Sequence, residues 1–177
     1  MKKQILVLSA LVTLSALAEP INLQMPFKAG RKTTVAWWES KNCELVTEKD
    51  GTAVKMPNGQ GIRFKDAIPG KAGDRLAYEI TLKKKAGNLS VRLALWSKEG
   101  HIGEVVGFPC GIWNPERSKA TSEYTTFKGE IMLKDADKPD KKGIMRKVNR
   151  FYLTIYAHTD SRDVVVKDIK INLIPKQ

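Results

Sequence analysis

A two-residue alternation of apolar and polar side chains limits what this chain can fold into more than any other feature. It is clearest in Asn149-Arg-Phe-Tyr-Leu-Thr-Ile-Tyr156 and in Val164-Val-Val-Lys-Asp-Ile-Lys-Ile-Asn-Leu173, neither of which contains Gly or Pro. Successive side chains of a strand point to opposite faces, whereas a helix repeats every 3.6 residues or so. In the first segment Phe151, Leu153 and Ile155 share one face, and Arg150, Tyr152, Thr154 and Tyr156 share the other. One face is core, and the second is more aromatic than solvation requires. The polar stretch His158-Thr-Asp-Ser-Arg-Asp163 between the segments is turn-like, which places both strands in one all-β domain.

The same pattern recurs upstream. Strands are expected at Thr33 to Glu39, ending in Trp37-Trp38, at Glu44 to Glu48, and at Thr52 to Met56. The last two flank Lys49-Asp50-Gly51, where Asp-Gly is a hairpin signal. Further strands are expected at Gly61 to Phe64, Arg75 to Lys83, Ser90 to Ser97 and Thr125 to Leu133. The stretch from Glu19 to Lys32, with Pro20, Pro26 and Gly30, is read as an extended lead-in. Lys98 to Ser122, rich in Gly and Pro, is read as a long loop, and the charged run Asp135 to Lys147 as a solvated one. No segment sustains a helical period. Many short strands separated by turns at roughly eight- to twelve-residue spacing indicate a sandwich or a barrel.

The chain opens with Met1-Lys-Lys, an apolar run from Ile5 to Leu17, and Ala16-Leu17-Ala18. A basic end, a short apolar stretch and small residues describe a signal peptide covering residues 1–18. The run is shorter than the roughly 20 apolar residues a membrane-crossing helix needs. The protein is therefore expected to be exported, periplasmic or extracellular, with no transmembrane segment after processing. Loss of Lys2 and Lys3 with that peptide lowers the formal charge from +12 to +10. Cys43 and Cys110 would meet an oxidising compartment, so a disulfide between them is expected. In the entropy model such a closure restricts the unfolded chain by about 4 kcal/mol. Two isolated cysteines, His101 and His158 do not supply clustered metal-ligand spacing.

The order of motifs resembles a known family. A Trp-containing first strand is followed by Asp50-Gly-Thr-Ala-Val54, a turn at Pro69-Gly70, the strand Leu76-Ala-Tyr-Glu-Ile-Thr-Leu82, and the closing segments Phe151 to Tyr156 and Val164-Val-Val-Lys-Asp-Ile169. This resembles the galactose-binding-like jelly rolls, including carbohydrate-binding modules of the cellulose- and xylan-binding type. The resemblance implies an all-β fold, a single jelly-roll β-sandwich of two antiparallel sheets over residues 33–177. It also favours Trp37 or Trp38 as a core residue. Many members hold a structural calcium, and by position Asp50 and Asp168 are the candidate ligands here. Lys167 replaces the first acidic residue of the family's final-strand motif, so an ordinary turn Asp50 and a hydrogen-bonded Asp168 stand as the alternative. No other cofactor is expected.

The functional argument rests on outward faces. Sugars present apolar C–H faces and hydroxyl rims, so their sites combine aromatic platforms with hydrogen-bonding side chains. Arg92 and Trp96 lie opposite Val91, Leu93 and Leu95 on one strand, and Tyr152 and Tyr156 lie opposite the core face of another. If these strands are neighbours, the four residues would line one concave surface, with Trp113 and Phe108 of the long loop at its rim. The alternative is that loops cover them as a second small core. The expected ligand is a polysaccharide or oligosaccharide. A positive charge leaves an anionic glycan or an envelope protein as further partners. No basic-aromatic motif points to nucleic acid. An enzyme is the lesser reading: there is no Gly-x-Ser-x-Gly elbow, and Glu79, Glu104 and Glu130 are the carboxylates that could act on glycosides.

Overall fold

The computed structural model describes residues 21–24, 37–39, 42–64, 67–105 and 120–177, and all regular structure among them is strand. The strands are β1 (Ile21–Gln24), β2 (Trp37–Glu39), β3 (Glu44–Glu48), β4 (Gly51–Met56), β5 (Gln60–Phe64) and β6 (Ile68–Pro69). They continue with β7 (Arg75–Lys83), β8 (Leu89–Trp96), β9 (His101–Val105), β10 (Thr125–Met132), β11 (Arg150–Ala157) and β12 (Val164–Ile174). Two antiparallel sheets result. The first has the order β10-β7-β12-β4-β3 with β1 also on β12, and the second β2-β5-β11-β8-β9 with β6 also on β11.

The strands β12 and β11 hold the centres of the first and second sheet. Along one edge of β12, β4 covers Val164 to Val166 and β1 covers Lys170 to Leu173, while β7 runs along the other edge. Along one edge of β11, β5 covers Thr154 to Ala157 and β6 covers Arg150 and Phe151, while β8 pairs with its whole length on the other. Side chains of both inner faces meet in a single core that includes Met56, Leu76, Ile80 and Leu82 from the first sheet and Ile62, Leu93, Phe151, Leu153 and Ile155 from the second. Sheets stacked this way interdigitate across about 10 Å and remove their apolar faces from water.

The structure corrects several expectations. Part of the lead-in is the strand β1, because the free edge of β12 beyond β4 offers unpaired backbone groups that Ile21 to Gln24 satisfy. Ile68-Pro69, at the expected Pro-Gly turn, pairs briefly with β11. Within the expected long loop, β9 forms a hairpin with β8, closed by Ser97 N–H donating to Gly100 O at 2.8 Å and Glu99 N–H donating to Ser97 Oγ at 3.1 Å. The alternation of β12 is not simple: its register shifts between Val166 and Asp168. That bulge lets Val164 and Val166 and then Ile169, Ile171 and Leu173 all face inward, with Lys167 the extra residue.

The expected signal peptide lies outside the described residues, and no described helix is long and apolar enough to cross a membrane. Cys43 packs half-buried against the core with its Sγ 3.9 Å from Gly61 O, but Cys110 lies outside the described residues. The side chains of Trp37 and Trp38 also fall outside the described set.

Candidate functional site

Pairing of β11 with β8 sets the floor of a site on the outer face of the second sheet. Arg150 stands opposite Trp96, Tyr152 opposite Ala94, Thr154 opposite Arg92, and Tyr156 opposite Ser90. On the other flank β5 brings Arg63 opposite Thr154 and Gly61 opposite Tyr156, while β9 brings His101 opposite Trp96 and Glu104 opposite Ala94. Residues one strand apart sit about 4.8 Å from each other, so these outward side chains crowd one surface. They enclose a concavity of about 360 Å³. Arg92, Trp96, Tyr152 and Tyr156 all line it, together with Arg63, Thr154, His101 and Glu104.

Trp96, the last residue of β8, anchors one end of the surface. Tyr152 meets it edge-on with centroids 5.9 Å apart, and His101 does the same at 5.7 Å. Edge-to-face contacts of this kind suit the ring quadrupoles and hold the indole in one orientation. Cations flank the rings: the Arg63 guanidinium lies 5.5 Å from the Tyr152 centroid and that of Arg150 lies 5.8 Å from Trp96. Arg92 Nη1 donates to Glu104 Oε2 at 3.1 Å. The pair is partly exposed and adds little stability. Its effect is to orient a guanidinium fork and a carboxylate toward whatever enters the concavity.

The far end is set by a packing device. The Tyr156 ring lies against the β5 backbone at Gly61 and meets His158 edge-on at 5.0 Å. His158 Nε2 in turn is 2.5 Å from Ser90 Oγ. Burial holds the His158 ring below the usual imidazole range, with Asp160 opposing that effect.

Trp113 and Phe108 lie outside the described residues. Of the three glutamates considered for catalysis, only Glu104 lines the concavity. Glu79 and Glu130 belong to the first sheet's pair of β7 and β10, where they are bound to Lys128 at 2.9 Å and Arg75 at 3.2 Å. The described residues do not fit calcium. Lys167 Nζ lies 2.5 Å from Asp50 Oδ2 and Lys170 Nζ lies 3.5 Å from Asp168 Oδ2, so ammonium groups answer both carboxylates. Calcium takes six to eight oxygens, and among the described residues no three His, Cys, Asp or Glu side chains group to hold a metal.

Arg63 and His101 were not singled out from sequence. Arg63 sits in a strand of five residues, too short for its alternation to stand out, and His101 lies in a stretch whose glycines read as loop. The signal for His101 was the turn Ser97-Lys-Glu-Gly100, which doubles β8 back on itself. The charged run is a solvated surface loop, as expected, and Asp140 is its hydrogen-bonding hub. Asp140 accepts from Lys142 N–H at 2.8 Å, Ile144 N–H at 3.0 Å and Arg146 at 2.6 Å.

No protein-family model matches the sequence, and no curated protein matches it. Solved structures do resemble it. The CBM22-1 xylan-binding domain of Paenibacillus barcinonensis Xyn10C superimposes with a TM-score of 0.56 at 10% identity, over 88% of this chain and 95% of that one. A structure described as the xylan-binding module CBM15 gives a TM-score of 0.50 at 14% identity, over 90% of this chain and 99% of that one. What is shared at such identities is the fold. The chain has the jelly-roll fold of carbohydrate-binding modules, as its motif order implies.

Proposed function

We propose that this chain is an exported, non-catalytic carbohydrate-binding protein that holds a polysaccharide or oligosaccharide along the outer face of its second sheet. One observation carries the reading: Trp96, Tyr152 and Tyr156 line the same concavity as Arg63, Arg92, Thr154 and Glu104. The rings supply apolar surface for the C–H faces of a sugar, and the polar groups supply donors and acceptors for its hydroxyls. The concavity falls within the size range of small-ligand sites. Both structures described above are named for binding xylan, which makes xylan the first ligand to try. The non-catalytic part is supported by the lining itself. Glycosidases use two carboxylates a few ångströms apart, and the described lining carries Glu104 alone, already bound to Arg92. Export rests on the N-terminal segment.

The test is a glycan array of neutral and acidic polysaccharides, xylan and cellulose included, with wild type and Trp96→Ala side by side. Binding by wild type that disappears in a variant with an unchanged circular dichroism spectrum is the expected result. A wild type that retains no glycan overturns the reading.

A further inference from the structure

His101 borders two concavities. One is the site above, and the other, about 390 Å³, opens between β9 and the segment after β10, where Asp137, Lys138, Asp140 and Arg146 line it. We propose that the two form one continuous cleft, so that a polysaccharide chain crosses the sheet, passes over His101 and occupies a second subsite beyond β9. This inference rests on the carbohydrate-binding reading and specifies its ligand as the interior of a long chain.

Topology supplies the direction. The first concavity is floored by β5, β11, β8 and β9 in that spatial order, and β9 is the outermost strand of the described sheet. Three inter-strand spacings give a floor of about 14 Å, room for a short oligosaccharide. A longer chain that continues past β9 meets the second concavity.

The second subsite is also built in advance. Asp140 fixes its wall by accepting Lys142 N–H and Ile144 N–H on Oδ1 and two Arg146 donors on Oδ2, and Asp140 N–H donates to Ile144 O at 2.9 Å. Arg146 reaches Glu99 in the β8–β9 turn at 3.4 Å, which ties that wall to the end of the sheet. A wall ordered before binding costs little entropy when a ligand arrives. Within it the side chains of Asp137 and Lys138 are exposed and enter no hydrogen bond or ion pair among the described residues. They are the donors and acceptors left for sugar hydroxyls.

The experiment is calorimetric titration with xylo- and cello-oligosaccharides from the disaccharide to the hexasaccharide, using wild type, Trp96→Ala and the double variant Asp137→Ala/Lys138→Ala. Wild type should gain about tenfold in affinity between chains that fill the first concavity and chains that extend past it, the effect of one or two added hydrogen bonds. The double variant should match wild type on short chains and lose that gain, while Trp96→Ala weakens every length. A double variant that keeps the gain, or a wild type that shows none, overturns the second subsite and leaves the carbohydrate-binding reading standing. A wild type that binds neither series overturns both.

Discussion

Tyr156 can lie where it does because Gly61 is a glycine. The two face each other across β5 and β11, and a Cβ at position 61 would stand 2.9 Å from Tyr156 Cδ2 and 2.7 Å from Ile155 O. A side chain there must both shift the β5 backbone away from Ile155 O and displace the ring. Gly61→Ala is expected to cost about 1–3 kcal/mol, as overpacking does, and to tilt Tyr156 out of the concavity. Chemical denaturation and glycan titration should both register the change. Unchanged stability and binding would mean that the ring is not held by this contact.

Trp96→Ala should leave folding nearly intact and abolish most binding. The indole is half-buried on the outer face, away from the core formed by Leu93, Leu95 and Leu153. Aromatic anchors of a binding site commonly contribute about 2 kcal/mol or more, so affinity should fall by roughly thirtyfold. A loss of binding smaller than about threefold would shift the anchor to Tyr152 or Tyr156.

Burial of the His158 ring beside Ser90 should make stability depend on pH. Burial lowers the folded pKa of His158 below its ordinary 6.5, so the folded state binds fewer protons than the unfolded chain just below that pH. Its contribution is therefore complete above 6.5 and is lost as pH falls through that value toward the folded pKa. Thermal unfolding between about pH 8 and about pH 5 should show a declining Tm in wild type and a shallower decline in His158→Gln. Equal slopes in the two proteins would assign the dependence to other groups.

Asp140 should govern proteolysis of the loop it organises. The Ile144 amide first, and the Arg146 guanidinium next, hold its carboxyl below the usual range. Asp140→Asn keeps the shape and removes the charge that both partners answer. Lys141 and Lys142 are exposed at the turn. Trypsin should cut there faster in the variant, with Tm little changed because the core is elsewhere. Equal cutting rates would show that the backbone hydrogen bonds alone suffice.

Much of the fold was legible because alternation is a local property. Phe151, Leu153 and Ile155 announce a half-buried strand without any knowledge of their partners, and Asp50-Gly51 announces a hairpin because few residues accept the Gly51 φ of 147°. Three strands carry little local signal for one shared reason. Ile21 to Gln24, Ile68-Pro69 and His101 to Val105 are short, and each is stabilised by pairing with an edge supplied by a distant or doubled-back strand. The β12 bulge was visible as a switch from even to odd apolar positions, yet the run of three valines masked it.

The candidate site divides the same way. Sequence by itself determined that Arg92, Trp96, Tyr152 and Tyr156 point away from the core, since period two assigns every residue of a strand to a face once its apolar set is known. Only the tertiary structure decided that β8 and β11 are neighbours in one register, and that Arg63 and His101 join them from β5 and β9. It also decided that lysines answer Asp50 and Asp168. Face is fixed by the covalent geometry of a few adjacent residues. Neighbourhood depends on which strand edges satisfy each other's backbone groups, and that follows from the sum of burial over the whole chain.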